Sequence, residues 1–185
     1  TVNFVRTLSN LNNLEWSNEK ISETAYHVER NILNHPIGKQ DDYIAAFGGF
    51  NFIRFTKEHV SVDPIKINKS TFNEFQENLL LFFIGNTRKN TSILSNQLEN
   101  IKQKRKETIE ALHYVKGLSE EMYSSLQQSD IGRFGELLNK GWLTKKKFTQ
   151  NVSNENIDKI YETALKNGAL GGKLTGAGGG GHMLF

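Results

Sequence analysis

Two stretches of this 185-residue chain hold residue types capable of chemistry. The first, HVERNILNHPIGKQDDYIAAFGG from His27 to Gly49, contains Glu29, Asp41 and Asp42. Glu29 closes one helical pattern, and the loop through Gly38 brings Asp41 back to the start of the next. Two carboxylates at one mouth suit Mg²⁺, a hard cation that prefers oxygen ligands, and suit a base beside a hydroxyl. Plainer roles fit the same spacing: Asp41 as a helix N-cap, and Glu29 as an exposed helix residue paired with Lys20 or Arg30. Spacing alone leaves both readings open.

The second stretch closes the chain as GGKLTGAGGGGHMLF, Gly171 to Phe185. Glycines admit positive φ and let backbone N–H groups come within hydrogen-bond reach of phosphate oxygens. A free tail cannot hold that geometry, but a loop pinned between two strands can. Leu174 on one side and Met183, Leu184 and Phe185 on the other suggest such pinning. A tight strand connection with no ligand fits equally well.

These stretches need elements to position them. Val2, Val5, Leu8 and Leu11 recur at helical spacing from an uncapped start, which predicts a helix entered from upstream sequence. Ser17 to Lys20 opens a second helix, with Ile21, Ala25, Val28 and Ile32 as its buried stripe, and His35-Pro36 ends it. Asp41 or Asp42 is expected to cap a short third helix, DDYIAAF, which Gly48-Gly49 terminates. Phe50 to Phe55 and His59 to Ile67 then alternate like hairpin arms, and a boundary falls near Lys66 to Thr71. LLLFFIG, Leu79 to Gly85, is expected as a buried strand. A long helix is predicted from Thr91 to Leu126, broken near Gly117, and another from Ile131 to about Lys146. Asn154 caps a last helix that Gly168 stops, and GKLT and HMLF form two short strands around the glycine loop. The order predicts an α+β layer.

Composition narrows the function classes. A 37% hydrophobic and 23% charged chain is an ordinary globular one, with no apolar run near the ~20 residues of a membrane span. Zero cysteines exclude disulfides and thiolate chemistry and fit a reducing, cytoplasmic setting. The net charge of +3 is too slight for a nucleic-acid binder. The clusters Lys102 to Lys106 (KQKRK) and Lys145 to Lys147 (KKK) read as solvated helix faces. His27, His35, His59, His113 and His182 show no pair at metal-ligand helical spacing, which argues against zinc.

Taken together, LTGAGGGG resembles the third signature loop of the GHMP small-molecule kinases. IGKQDDYIAAFGGFNFIRF, FFIGNTR, GWLTKKK and IDKIYETALKNGALGGKLTGAGGGGHMLF resemble its heptose-7-phosphate kinase branch, in order along nearly the whole chain. The resemblance implies an ATP- and Mg²⁺-dependent kinase acting on the anomeric hydroxyl of a small sugar phosphate, a heptose 7-phosphate, with no membrane or nucleic-acid partner. It implies a GHMP kinase-like architecture, with residues 1–68 from an N-terminal domain and residues 69–185 from a ferredoxin-like C-terminal domain. Asp41 falls at the family's catalytic aspartate, and Glu29 at a Mg²⁺-ligand glutamate. Gly176, Ala177, Gly178, Gly179 and Gly180 form the loop supporting the phosphates. Arg88 is matched to a recurrent arginine suited to a sugar phosphate, and Lys39 and Gln40 flank the base as substrate contacts.

Three departures stand out. Asp42 replaces the branch's usual glutamine, adding a negative charge beside Asp41 and raising the expectation of a shifted pKa. His182 stands where relatives carry an apolar residue. The family's nucleotide loop, Pro-x-x-x-Gly-Leu-Gly-Ser-Ser, does not occur in this sequence, which leads to the expectation of a kinase fragment. The rival readings are a kinase for fucose or another hexose, and a non-catalytic sugar-binding remnant.

Overall fold

A computed structural model describes residues 1–85 and 92–185. The chain divides into two compact units, Thr1–Pro64 and Ile65–Phe185.

The first unit holds three helices, α1 (Val2–Leu11), α2 (Asn18–His27) and α3 (Gln40–Phe47), and then a hairpin of β1 (Asn51–Phe55) and β2 (Val60–Pro64). Val2, Val5, Ile21, Ala25 and Ala46 bury one another at the helix junction, with Trp16 and Phe47 packed around them. Ser17 caps α2 by accepting from the Lys20 N–H at 3.2 Å. Arg6 ties the three helices together, donating to the Ala46 carbonyl at 2.7 Å and to Asn18 Oδ1 at 3.1 Å. The hairpin is antiparallel, pairing Asn51 with Pro64 and Phe55 with Val60.

Two expectations fail in this unit. The stripe of the second helix does not reach Ile32, which is exposed, because Val28–Ile32 is a π-helical turn. A π turn takes in one extra residue and rotates the later side chains off the buried face. Nor does either aspartate cap α3. Lys39 occupies the N-cap position, and Asp41 and Asp42 sit inside the first turn. Gly48 ends the helix at φ +64° as the glycine pair predicts.

The second unit runs α4 (Lys69–Glu77), β3 (Leu81–Phe83), α5 (Ser92–Lys102), α6 (Lys106–Gln127), α7 (Ile131–Lys145), α8 (Glu155–Lys166), β4 (Lys173–Leu174) and β5 (His182–Leu184). Its antiparallel sheet has the order β3-β5-β4, so the last strand lies in the middle. Ile93, Trp142, Val152, Ile157, Tyr161, Leu174 and Met183 form the core. Asp130 and Asn154 cap α7 and α8.

Here too the sequence misleads in places. Helix α4, capped by Asn68, is an element not expected from the sequence, and it begins inside the Lys66 to Thr71 stretch. The long helix breaks at Gln103 to Arg105, where Lys104 adopts φ +52°, and not at Gly117, which lies inside α6. KQKRK is therefore a helix junction rather than a helix face. β3 is not buried: Leu81 and Phe83 are 60% exposed, because the strand is an edge and among the described residues pairs only with β5.

Candidate active site

The wide turn that displaces Ile32 also carries Glu29. Together with Asp41, Asp42, Ile37, Ala45 and the first three residues of the chain, it lines a pocket of about 280 Å³ in the first unit. Three carboxylates thus share one concavity with the start of α1. Asp41 is exposed and Glu29 half-buried, and Glu29 accepts a hydrogen bond from the Thr1 hydroxyl. Asp42 is only 5% exposed, and its Oδ2 meets no hydrogen-bond partner. Burial first, then the like charges of Glu29 and Asp41, push the Asp42 carboxyl up to about 6.

A second network holds α3 in place. Glu23 accepts from the Lys39 ammonium at 2.6 and 2.9 Å and from the Tyr43 hydroxyl at 2.5 Å. Burial opposes the ionised Glu23, but these bonds outweigh it and hold its carboxyl below the ordinary value. Burial and the same hydrogen bond raise the Tyr43 hydroxyl. Lys39 therefore spends its charge on Glu23 and lies 5.3 Å over the Tyr26 ring, while Gln40 is exposed at the first position of α3. Neither lines the pocket that holds Asp41.

In the second unit the glycine loop spans the turn from β4 to β5. Leu174 and Met183, both fully buried, pair across the strands and anchor its ends. Each such side chain contributes about 1.5–3 kcal/mol of burial. Gly176, Gly178, Gly179, Gly180 and Gly181 all have positive φ, which explains the glycine run. Two of them also lie against neighbouring chain: a Cβ on Gly178 would stand 2.9 Å from the Val152 carbonyl oxygen, and one on Gly179 2.9 Å from Ile93 Cδ1. The Gly179 N–H donates to the Val152 carbonyl at 3.0 Å. Ala177 packs on the core. Close packing thus accounts for Gly178 and Gly179 without a ligand. Arg88 lies outside the described residues.

The solvated-face reading of the second lysine cluster needs correction. Lys145 donates to the Gly176 carbonyl in the loop, and Lys146 pairs with Asp158 at 3.1 Å. Lys147 alone of the three is exposed. A cleft of about 470 Å³ in the second unit, among Phe75, Phe82, Phe134, Leu138 and Leu170, is mostly apolar and offers little chemistry.

Residues 122–185 match the family described as GHMP kinases C terminal. This part of the chain is similar to the C-terminal domain of GHMP kinases. The full chain is 34% identical over 185 residues to a D-glycero-alpha-D-manno-heptose 7-phosphate kinase of Campylobacter jejuni, covering 100% of this chain and 54% of that protein. It is 25% identical over 187 residues to a bifunctional fucokinase/GDP-fucose pyrophosphorylase of Arabidopsis thaliana, covering 98% of this chain and 17% of that one. A crystal structure described as a D-glycero-D-manno-heptose 1-phosphate kinase from Bacteroides thetaiotaomicron superposes with TM-score 0.69 at 28% identity, over 96% of this chain and 47% of the other. The chain therefore spans about half the length of the heptose kinases it matches, and its α+β fold is that of GHMP kinases.

Proposed function

We propose that the protein is an ATP-dependent kinase that phosphorylates the anomeric hydroxyl of a D-glycero-D-manno-heptose 7-phosphate. Residues 1–68 then belong to the N-terminal domain of a GHMP kinase and residues 69–185 to the C-terminal one. The observation that carries the reading is the pocket in which Glu29, Asp41 and Asp42 meet the first turn of α1. The first N–H groups of a helix have no acceptor of their own and attract anions. Carboxylates opposite such a turn repel a phosphate unless a cation lies between them.

The donor set fits Mg²⁺. Glu29 and Asp41 both line the pocket and offer hard oxygen ligands, and Asp42 keeps a buried oxygen without a partner. Among the described residues no group of three or more His, Asp or Glu side chains is gathered for a metal. Mg²⁺ beside a nucleotide is commonly held by one or two carboxylates, with phosphate oxygens and water as its other ligands. Bound by Glu29, the ion would neutralise charge on the transferred phosphoryl group.

Asp41, exposed and at the mouth, accepts the proton of the sugar hydroxyl as its oxygen bonds to the γ-phosphorus and the bond to the β-phosphate breaks. Arg88 is proposed on the sugar side, and residues 176–180 as the loop supporting the phosphates. The similarity to a heptose 7-phosphate kinase supports the sugar assignment. A panel of heptose 7-phosphate, fucose, galactose and mannose with labelled ATP tests it. Fastest transfer to C1 of the heptose is expected, and preferred transfer to fucose or another hexose would overturn the substrate.

A further inference from the structure

Lys145 is the last residue of α7, and Gly176, the first glycine of the loop, lies 31 positions further along the chain. Its ammonium nevertheless donates to the Gly176 carbonyl, and lies 3.5 Å from the Leu174 carbonyl just before the loop. An ammonium placed between two carbonyls selects the direction in which those peptides face. The peptide group is planar, with its C=O and N–H on opposite sides. Holding the Gly176 carbonyl toward Lys145 therefore turns the N–H of Ala177 away from it.

The rest of the loop is fixed by other means. Gly179 donates to Val152 and Gly181 to Gly85, at 3.0 and 3.2 Å, and the Ala177 side chain packs on the core. Among the described residues, the N–H groups of Gly176, Ala177 and Gly178 meet no backbone acceptor. Thr175 donates to the His182 carbonyl through both its N–H and its hydroxyl, which leaves Gly176 to Gly178 as the stretch without a backbone bond among the described residues, and Gly176 and Gly178 bring it the backbone freedom of glycine. Lys145 is the polar tether at that point. It also brings a positive charge to the loop.

We propose that Lys145 is a positioning residue for the glycine loop, holding the Gly176–Ala177 peptide so that the neighbouring N–H groups are presented together to a phosphate. The proposal rests on the kinase reading for its ligand, but not for the tether itself.

Lys145→Met keeps the length and packing of the side chain and removes its donors, and Lys145→Arg restores a cation. Both are compared with the wild-type intact protein by amide hydrogen exchange across residues 174–183 and by steady-state kinetics with ATP and heptose 7-phosphate. In Lys145→Met the hydrogen-bonded amides that flank the tether, those of Thr175 and Gly179, should exchange about tenfold faster, as befits loss of a charged hydrogen bond beside them, while those of Leu174 and Met183 keep their rates. The KM for a phosphate-bearing substrate should rise several-fold, about as much as the exchange, with kcat changing less and with partial recovery in Lys145→Arg. Unchanged loop exchange overturns the tether. Faster exchange with an unaltered KM overturns its role in binding. Failure of the kinase reading is distinguishable: the wild-type protein would phosphorylate none of the sugars, which overturns the phosphate role, while the exchange pattern still decides the tether.

Discussion

The Tyr43 hydroxyl donates to Glu23 Oε1 at 2.5 Å, joining the first turn of α3 to α2. Lys39 reaches the same carboxylate from the N-cap position. Asp41 and Asp42 lie between these two anchors, and Glu29 sits in the π turn that continues α2. The acids of the pocket are thereby held by groups that do not line it.

Tyr43→Phe keeps the ring packed against Phe47 and Phe55 and removes only the hydroxyl. Loss of a bond to a charged acceptor should cost about 1.5–3 kcal/mol in urea unfolding at pH 7. Removing Lys39 should cost less, about 1 kcal/mol or under, because both partners are roughly a third exposed. Glu23 is held below its ordinary value of 4.5, so this stabilisation is present above that value and lost as the pH falls through the lower, folded one. The Tyr43→Phe penalty should therefore shrink on acidification, and a penalty that grew would contradict the assignment.

Asp42 has the opposite sign. Its pKa rises from 3.8 to about 6 on folding, so above about 6 the folded state bears the full cost of burying the charge, and that cost disappears as the pH falls toward 3.8. Asp42→Asn should raise stability by about 1–3 kcal/mol at pH 7.5 and by little near pH 4. Unfolding curves of both proteins at the two pH values check this. A gain of equal size at both would show that ionisation is not the cause.

The glycines separate packing from backbone strain. Gly178→Ala places a methyl 2.9 Å from the Val152 carbonyl oxygen at φ +125° and should cost about 2–4 kcal/mol. Gly48→Ala meets nothing within 4 Å, and at φ +64° and ψ −172° should cost only the backbone strain of a glycine-only conformation, about 1–3 kcal/mol. Thermal unfolding of the pair decides, and equal losses would mean that contact with Val152 is unimportant.

How much of the fold and the site was legible in the sequence depended on whether the signal was local. The caps Ser17 and Asn154, the stops Gly48 and Gly168, and the hairpin are all set by neighbouring residues and appear as expected. The acids of the pocket were visible as types and spacing, and the Asp42 departure flagged its own shifted pKa. What failed depended on partners far away or on backbone adjustments. Nothing in VERNI announces a π turn, so Ile32 was expected inside. An all-apolar LLLFFIG signals burial, but only the sheet order makes it an edge. Lys145 and Lys147 both border Lys146, and only the fold shows which one reaches Gly176. The Glu23, Lys39 and Tyr43 network joins positions too far apart for periodicity to pair them.

The measurement closest to the central claim is the turnover of heptose 7-phosphate and ATP by Asp41→Asn in the intact protein. This change removes the proton acceptor at the pocket mouth while keeping the side-chain volume. We expect kcat to fall by about 10²-fold or more, in keeping with loss of a general base, with nucleotide affinity changed only slightly. A variant that turns over as fast as the wild type would contradict the account.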